Sequence, residues 1–120
     1  MLYIQTEEAR RGYMNACRAY GDLIGEREKF NGKRAQQLEN RIHEARFIMN
    51  ERKNLYESLL EQLRRSKDVC DMVYRYRYLD RLKVFRIAMN VGYSEAQVYR
   101  ILKKIRANAN MIENESLHVI

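Results

Sequence analysis

Residues 81–106 read RLKVFRIAMNVGYSEAQVYRILKKIR, and their pattern decides the fold of this part of the chain. Gly92 stands where a helix commonly ends in a residue with left-handed backbone angles. Ser94 is a favoured N-cap, and Gln97, three residues later, completes a capping box. The helix before Gly92 has an apolar face, formed by Ile87, Ala88 and Val91. The stretch therefore predicts two helices joined by a tight turn.

The helix that follows Ser94 has two different faces. Its apolar face comprises Val98, Ile101, Leu102 and Ile105. At 100° per residue, the opposite face comprises Ala96, Arg100, Lys103 and Ala107, with Tyr99 and Lys104 on its flanks. A helix-turn-helix presents a second helix of this kind to the major groove of DNA. We therefore expect DNA contacts from Ser94, Glu95, Ala96, Gln97, Tyr99, Arg100, Lys103 and Lys104.

Glu95 interrupts the basic character of this face. Its carboxylate is placed to accept a hydrogen bond from cytosine N4, which would make it a base contact. It also lies in the first turn of the predicted helix, where negative charge complements the helix dipole. The second interpretation is the one we favour.

Positive charge is concentrated in the same region. The chain of 120 residues has 23 Lys and Arg against 16 Asp and Glu, a net charge of +7 and a pI near 9.6. Residues 71–106 hold nine basic and three acidic residues, residues 1–70 hold 14 and 11, and residues 107–120 hold none and two. Such an excess indicates a polyanionic partner, and we expect double-stranded DNA.

A long helix is predicted near the start of the chain. Thr6 is a favoured cap for it, and Glu7 and Glu8 then lie in its first turn, where they suit the helix dipole. Its stripe recurs every three or four residues and comprises Ala9, Tyr13, Ala16, Tyr20, Leu23, Arg27 and Phe30. This spacing is typical of a helix that packs along another helix.

A second long helix is predicted after Asn31 and Gly32, which both tolerate the left-handed angles of a turn. Its stripe predicts one helix from about Lys33 to Arg65 and comprises Ala35, Leu38, Ile42, Ala45, Met49, Arg52, Tyr56, Leu59 and Leu63. The two helices are expected to form an antiparallel hairpin or coiled coil. Folding back at this turn would bring Leu2 and Ile4 near Leu59 and Leu63.

The apolar surface of this hairpin is broader than one partner helix covers. Ile24, Ile48, Leu55 and Leu60 lie beside the seam between the two stripes. A second copy of the chain would cover this surface in a four-helix arrangement. We therefore expect a homodimer held mainly by residues 7–65, with RNA polymerase or another protein as the alternative partner.

From Asp68 the spacing predicts a shorter helix, with apolar positions at Val69, Met72, Val73, Tyr76 and Leu79. Within it, residues 74–78 (YRYRY) alternate aromatic and basic side chains. Such alternation is also typical of a strand or of a surface that stacks on nucleic-acid bases. The helical spacing on both sides favours a helix with its arginines on the outer face.

Composition and spacing argue against several other classes. The absence of Pro and the count of five Gly leave few tight turns for a sandwich or barrel, so an all-α fold is expected. Cys17 and Cys70 lack metal-ligand spacing and His43 and His118 stand far apart, so we expect no metal or cofactor. No phosphate-binding loop, carboxylate pair or nucleophile motif indicates an enzyme. Without a secretion signal or a long apolar run, a cytoplasmic protein off the membrane is expected.

The stretch over residues 69–106 resembles the fourth region of bacterial sigma factors. Four short elements carry the resemblance: residues 76–80 (YRYLD), Ile87-Ala88, Gly92-Tyr93-Ser94 and residues 98–101 (VYRI). The layout also resembles small phage late-gene activators of the RinA and ArpU type. The resemblance implies a phage or prophage transcriptional regulator that binds promoter DNA. Its expected parts are a helical segment for oligomerisation or partner binding over 1–67, a helix-turn-helix over 68–110 and a tail over 111–120.

Two other functions stay open. A phage DNA-packaging recognition subunit, similar to a small terminase subunit, also joins a helix-turn-helix to helical oligomerisation segments, although its DNA-binding module usually comes first. A pure interaction protein would instead use the sigma-like module to bind polymerase or a sigma factor. Direct DNA binding distinguishes the interaction protein from the other two, and the nature of the target site distinguishes those two.

Overall fold

The computed structural model describes residues 1–30 and 32–118, with side chains up to Ala109, and every regular element within that part is helical. Its helices are α1 (Leu2–Arg27), α2 (Lys33–Arg65), α3 (Val69–Tyr74), α4 (Val84–Val91) and α5 (Glu95–His118), and a π-helical turn (Arg75–Leu79) directly follows α3. The expected all-α class is confirmed, and α2 has the bounds that its stripe predicted. The expected tail, residues 111–120, belongs to α5 as far as His118; the rest lies outside the described residues.

Ala9–Ser58 forms one of two compact units, and it consists of two antiparallel helices. Ala9 and Ala16 of α1 and Leu38 and Ile42 of α2 are buried between them. The register is set by contacts that join Arg27 to Glu39 (2.7 Å), Arg46 to Tyr20 (3.0 Å) and the ring of Tyr13 to that of Tyr56 (centroids 6.3 Å apart). Gly32 has the positive φ expected of the connecting turn, +71°, whereas Asn31 lies outside the described residues.

The other compact unit combines the start of the chain, residues 1–8, with residues 59–120. Its core comprises Tyr3, Leu63, Cys70, Val73, Tyr74, Val84, Ile87, Ala88, Val98, Leu102 and Ile105. Leu2 and Ile4 pack against this core, which contains Leu63, as the predicted hairpin implied. The compact units therefore differ from the division expected at residue 67, because the start of α1 and the end of α2 pack with the later helices.

Helix α1 begins at Leu2, so the prediction that Thr6 caps it is wrong. Thr6 is completely buried, and its hydroxyl donates to the carbonyl oxygen of Leu2 at 2.7 Å. The N–H of Tyr3 donates to Oδ1 of the buried Asp71 at 2.9 Å. A carboxylate 68 residues away thus satisfies an N–H group that a local cap would otherwise serve.

Candidate nucleic-acid interface

A short turn joins α4 to α5. After α4 ends at Val91, Gly92 adopts φ +73° and ψ +27°, in the left-handed region. The N–H groups of Gly92 and Tyr93 both donate to the carbonyl oxygen of Ala88, at 2.9 and 3.1 Å. These bonds close the last turn of α4. Because a side chain disfavours these backbone angles, the conformation accounts for glycine at this position, as the sequence predicted.

A capping box starts α5. The N–H of Gln97 donates to Oγ of Ser94 at 3.2 Å, and the N–H of Ser94 donates to Oε1 of Gln97 at 2.9 Å. The Ser94 hydroxyl lies 3.2 Å from the same Oε1 and donates to it. The predicted capping box is confirmed. Since Ser94 and Gln97 bond to each other, their role within the chain is to begin and orient α5.

Burial determines which side of α5 meets solvent. Ile87 of α4 and Val98 of α5 are completely buried, and the inner face of α5 continues with Leu102 and Ile105. The opposite face is exposed and comprises Ala96, Arg100, Lys103 and Ala107, with Tyr99 and Lys104 exposed beside it. This arrangement is the one that the 100° spacing predicted.

The exposed face of α5 carries positive charge that the described residues do not neutralise. Within that part of the chain, no ion pair or hydrogen bond engages Arg100 or Lys103. Tyr99 exposes 56% of its surface beside them. Ala96, one turn before Arg100, adds little bulk to the surface. The face can therefore approach a flat or grooved polyanion closely and contact it with both cations.

The YRYRY run is helical, as favoured, but its register differs from the predicted one. Helix α3 ends at Tyr74 and the chain continues as a π-helical turn. Tyr74 is buried and its hydroxyl donates to Oε2 of Glu7 at 2.7 Å, whereas Tyr76, at the predicted apolar position, is half-buried. The difference begins within α3, where Cys70, Val73 and Tyr74 are buried, so it precedes the π-helical turn.

Two arginines of this run bind the unit's own backbone. Arg75 donates from Nη1 to the carbonyl oxygen of Arg64 at 2.6 Å, and its guanidinium stacks 4.7 Å from the ring centre of Tyr76. Arg77 donates from Nη1 to the carbonyl oxygen of Leu82 at 3.1 Å. Some of the basic residues in 71–106 therefore stabilise the fold. The alternation of aromatic and basic residues in the sequence does not show which ones.

Sequence reasoning missed three exposed cations near the start of α4. They are Arg81, Lys83 and Arg86. Arg81 adopts a left-handed φ of +55°, and Lys83 occupies the N-cap position of α4 without a side-chain cap bond. In the sequence only the local excess of positive charge indicated these residues. They precede α5, the helix whose buried and exposed faces the 100° spacing predicted.

Cys70 is a core residue of this unit. Burial raises the pKa of its thiol, the negative charge of Asp68 raises it further, and Lys104 acts in the opposite direction. The thiol is therefore protonated at neutral pH, which is the unreactive form. Within the described residues, no group of three or more His, Cys, Asp or Glu side chains could hold a metal ion.

Comparisons with protein-family models, with curated proteins and with solved structures found no match. In the part of the chain that the structure describes, no helix is both long and apolar enough to cross a membrane.

Proposed function

We propose that this protein is a DNA-binding transcriptional regulator of phage or prophage origin. In this proposal α4 and α5 form a helix-turn-helix like that of the fourth region of sigma factors, and α5 enters the major groove of promoter DNA. The observation that supports it best is the exposed face of α5. There Arg100 and Lys103 have no described partner, and the Gly92 turn and the Ser94 cap hold the helix in place.

Each exposed side chain has a role in this complex. Arg100 is suited to a bidentate bond with guanine or with a phosphate, and Lys103 to a phosphate. Ala96 and Tyr99 offer apolar contact to a thymine methyl group. The first helix of such a motif crosses the DNA backbone, so Lys83 and Arg86 of α4 are expected to contact phosphates.

Alanine substitutions in α5 test the proposal. We expect Arg100→Ala and Lys103→Ala each to weaken binding to a fluorescent duplex while helix content stays unchanged. Loss of a phosphate contact makes the negative slope of log K against log salt shallower by about one unit for every sequence. Loss of a base contact costs about 1–3 kcal/mol and relaxes specificity at one position.

Lys53→Ala is the matched control, because Lys53 is an exposed cation of α2 in the other compact unit. We expect this variant to bind DNA like the unchanged protein. If Arg100→Ala and Lys103→Ala also bind like the unchanged protein at moderate salt, α5 is not the interface.

The target site distinguishes regulation from DNA packaging. A genome-wide binding footprint of the full chain is expected to peak at promoters. Enrichment at a single packaging site instead would favour the terminase-like alternative and contradict a regulatory role.

Exposed apolar side chains on α4 favour a second candidate, a protein that binds polymerase or a sigma factor. Phe85 exposes 49% of its surface and Met89 71%, and the two lie one helical turn apart. Apolar side chains are poor partners for phosphates. A chain that binds polymerase but no duplex DNA at low salt would support this candidate over the first.

A further inference from the structure

The hairpin of residues 9–58 has exposed apolar side chains on α2. Ile48, Arg52 and Leu55 follow each other by four and three residues, so they share one face of the helix. Ile48 exposes 43% of its surface and Leu55 55%. Large apolar side chains at this spacing on one helix face are typical of a surface that another helix covers.

A row of smaller residues lies next to this face, on the other helix. Gly12, Asn15 and Ala19 of α1 are spaced by three and four residues and therefore also share a face. Nη1 of Arg52 donates to the carbonyl oxygen of Gly12 at 3.1 Å. This bond places both faces on the same side of the hairpin, which we call the Arg52 side: Gly12, Asn15, Ala19, Ile48, Arg52 and Leu55.

The register of the hairpin puts large residues level with small ones. Because Arg46 meets Tyr20 and Arg52 meets Gly12, Ile48 lies level with residues 16–18, between Asn15 and Ala19, and Leu55 lies level with residues 9–11, just beyond Gly12. A twofold axis parallel to the helices brings α2 of one copy over α1 of another at the same height. The large side chains of α2 then meet the small residues of the second copy's α1.

Charge favours this arrangement over its alternative. Glu44 and Glu51 are exposed on α2 and border Ile48, and Arg18 is exposed on α1 at a height between them. With α2 over α1 of the second copy, Arg18 of each copy lies between both carboxylates of the other, whereas the exposed Asp22 is level with Glu44 alone. With α2 over α2, the two acidic edges would face each other and repel.

We infer that the Arg52 side is a homodimer interface, in which α2 of each copy lies along α1 of the other and Arg18 pairs with Glu44 and Glu51. The result is a four-helix arrangement with closed twofold symmetry, so each contact occurs twice. This inference goes beyond the proposed DNA binding and does not depend on it, since its tests contain no DNA.

Sedimentation of the full chain at micromolar concentration tests the interface. We expect twice the chain mass of 14.5 kDa. Ile48→Asp with Leu55→Asp is expected to return the mass to that of one chain, with helix content checked by circular dichroism. Met14→Asp is the matched control: Met14 exposes 51% but lies about 160° around α1 from Gly12, so the dimer should persist. A monomeric full chain, or a dimer that survives both aspartates, would overturn the inference.

Charge reversal tests the pairing with substitutions of exposed residues only. We expect Arg18→Glu in one chain, and Glu44→Lys with Glu51→Lys in another, each to raise the dimer dissociation constant by tenfold or more. Mixing the two variant chains should restore a dimer, because each substituted side chain then faces side chains of opposite charge on the other chain. Dimerisation of each variant at unchanged affinity, or no heterodimer on mixing, would contradict the α2-over-α1 arrangement.

Discussion

The turn between α4 and α5 depends on the left-handed backbone conformation of one residue, Gly92. Gly92 has φ +73°, and nothing else lies within 4 Å of the position that a Cβ atom would take there. A substitution at this residue therefore acts through backbone strain and not through collision. The turn sets the direction in which α5 leaves α4, so this strain bears directly on the candidate interface.

We expect Gly92→Val to destabilise the protein by about 1–3 kcal/mol, because a β-branched residue resists positive φ. The measurement is the thermal unfolding midpoint of the full chain. Gly92→Asn is the matched control, since asparagine tolerates left-handed angles and should lower the midpoint less. Equal midpoints for the valine variant and the unchanged protein would show that the turn does not require glycine.

At the scale of the element, the start of α5 depends on the capping box. The Oγ of Ser94 accepts the N–H of Gln97, which has no partner inside the helix. We expect Ser94→Ala to cost about 1 kcal/mol in the free energy of unfolding, measured in urea. Ser94→Asp should retain most of the stability, because aspartate is an equally good N-cap. Equal losses in both variants would mean that the cap does not stabilise α5.

At the scale of the whole molecule, the start of the chain is part of the unit that carries α4 and α5. Tyr3 exposes only 2% of its surface, and its hydroxyl accepts a hydrogen bond from Nδ2 of Asn108 at 2.5 Å. Its backbone N–H donates to Asp71. Residues 1–8 therefore stabilise a unit whose other residues, 59–120, begin more than fifty positions later in the sequence.

We expect Tyr3→Ala to cost about 3–5 kcal/mol, as truncation of a buried aromatic side chain does. Tyr3→Phe keeps the ring and loses only the Asn108 bond, so it should cost about 1 kcal/mol. Urea unfolding, followed by a probe in the α4–α5 unit, measures both. An alanine variant as stable as the phenylalanine variant would show that the ring does not support this unit.

Most of the candidate interface could be predicted from its own residues. Gly92, Ser94 and Gln97 form hydrogen bonds with groups within four positions. Their roles can therefore be predicted from neighbouring residues in the sequence. The bonds of Arg75 and Arg77 could not be predicted in this way. The partner of Arg75 is on residue 64, eleven positions away, and packing brings it within reach, whereas the partner of Arg77, on residue 82, depends on how the chain turns after residue 79.

The sequence by itself determined where the long helices run and where they turn, because helical periodicity, glycine angles and caps depend on near neighbours. The bounds of α2 and the start of α5 are of this kind. Only the tertiary structure decided that α1 begins at Leu2 and that Tyr74 is the buried tyrosine of its run. Those outcomes depend on Tyr3 with Asp71 and on Tyr74 with Glu7, pairs that stand 68 and 67 positions apart. No local pattern contains both members of such a pair, so packing alone selects them.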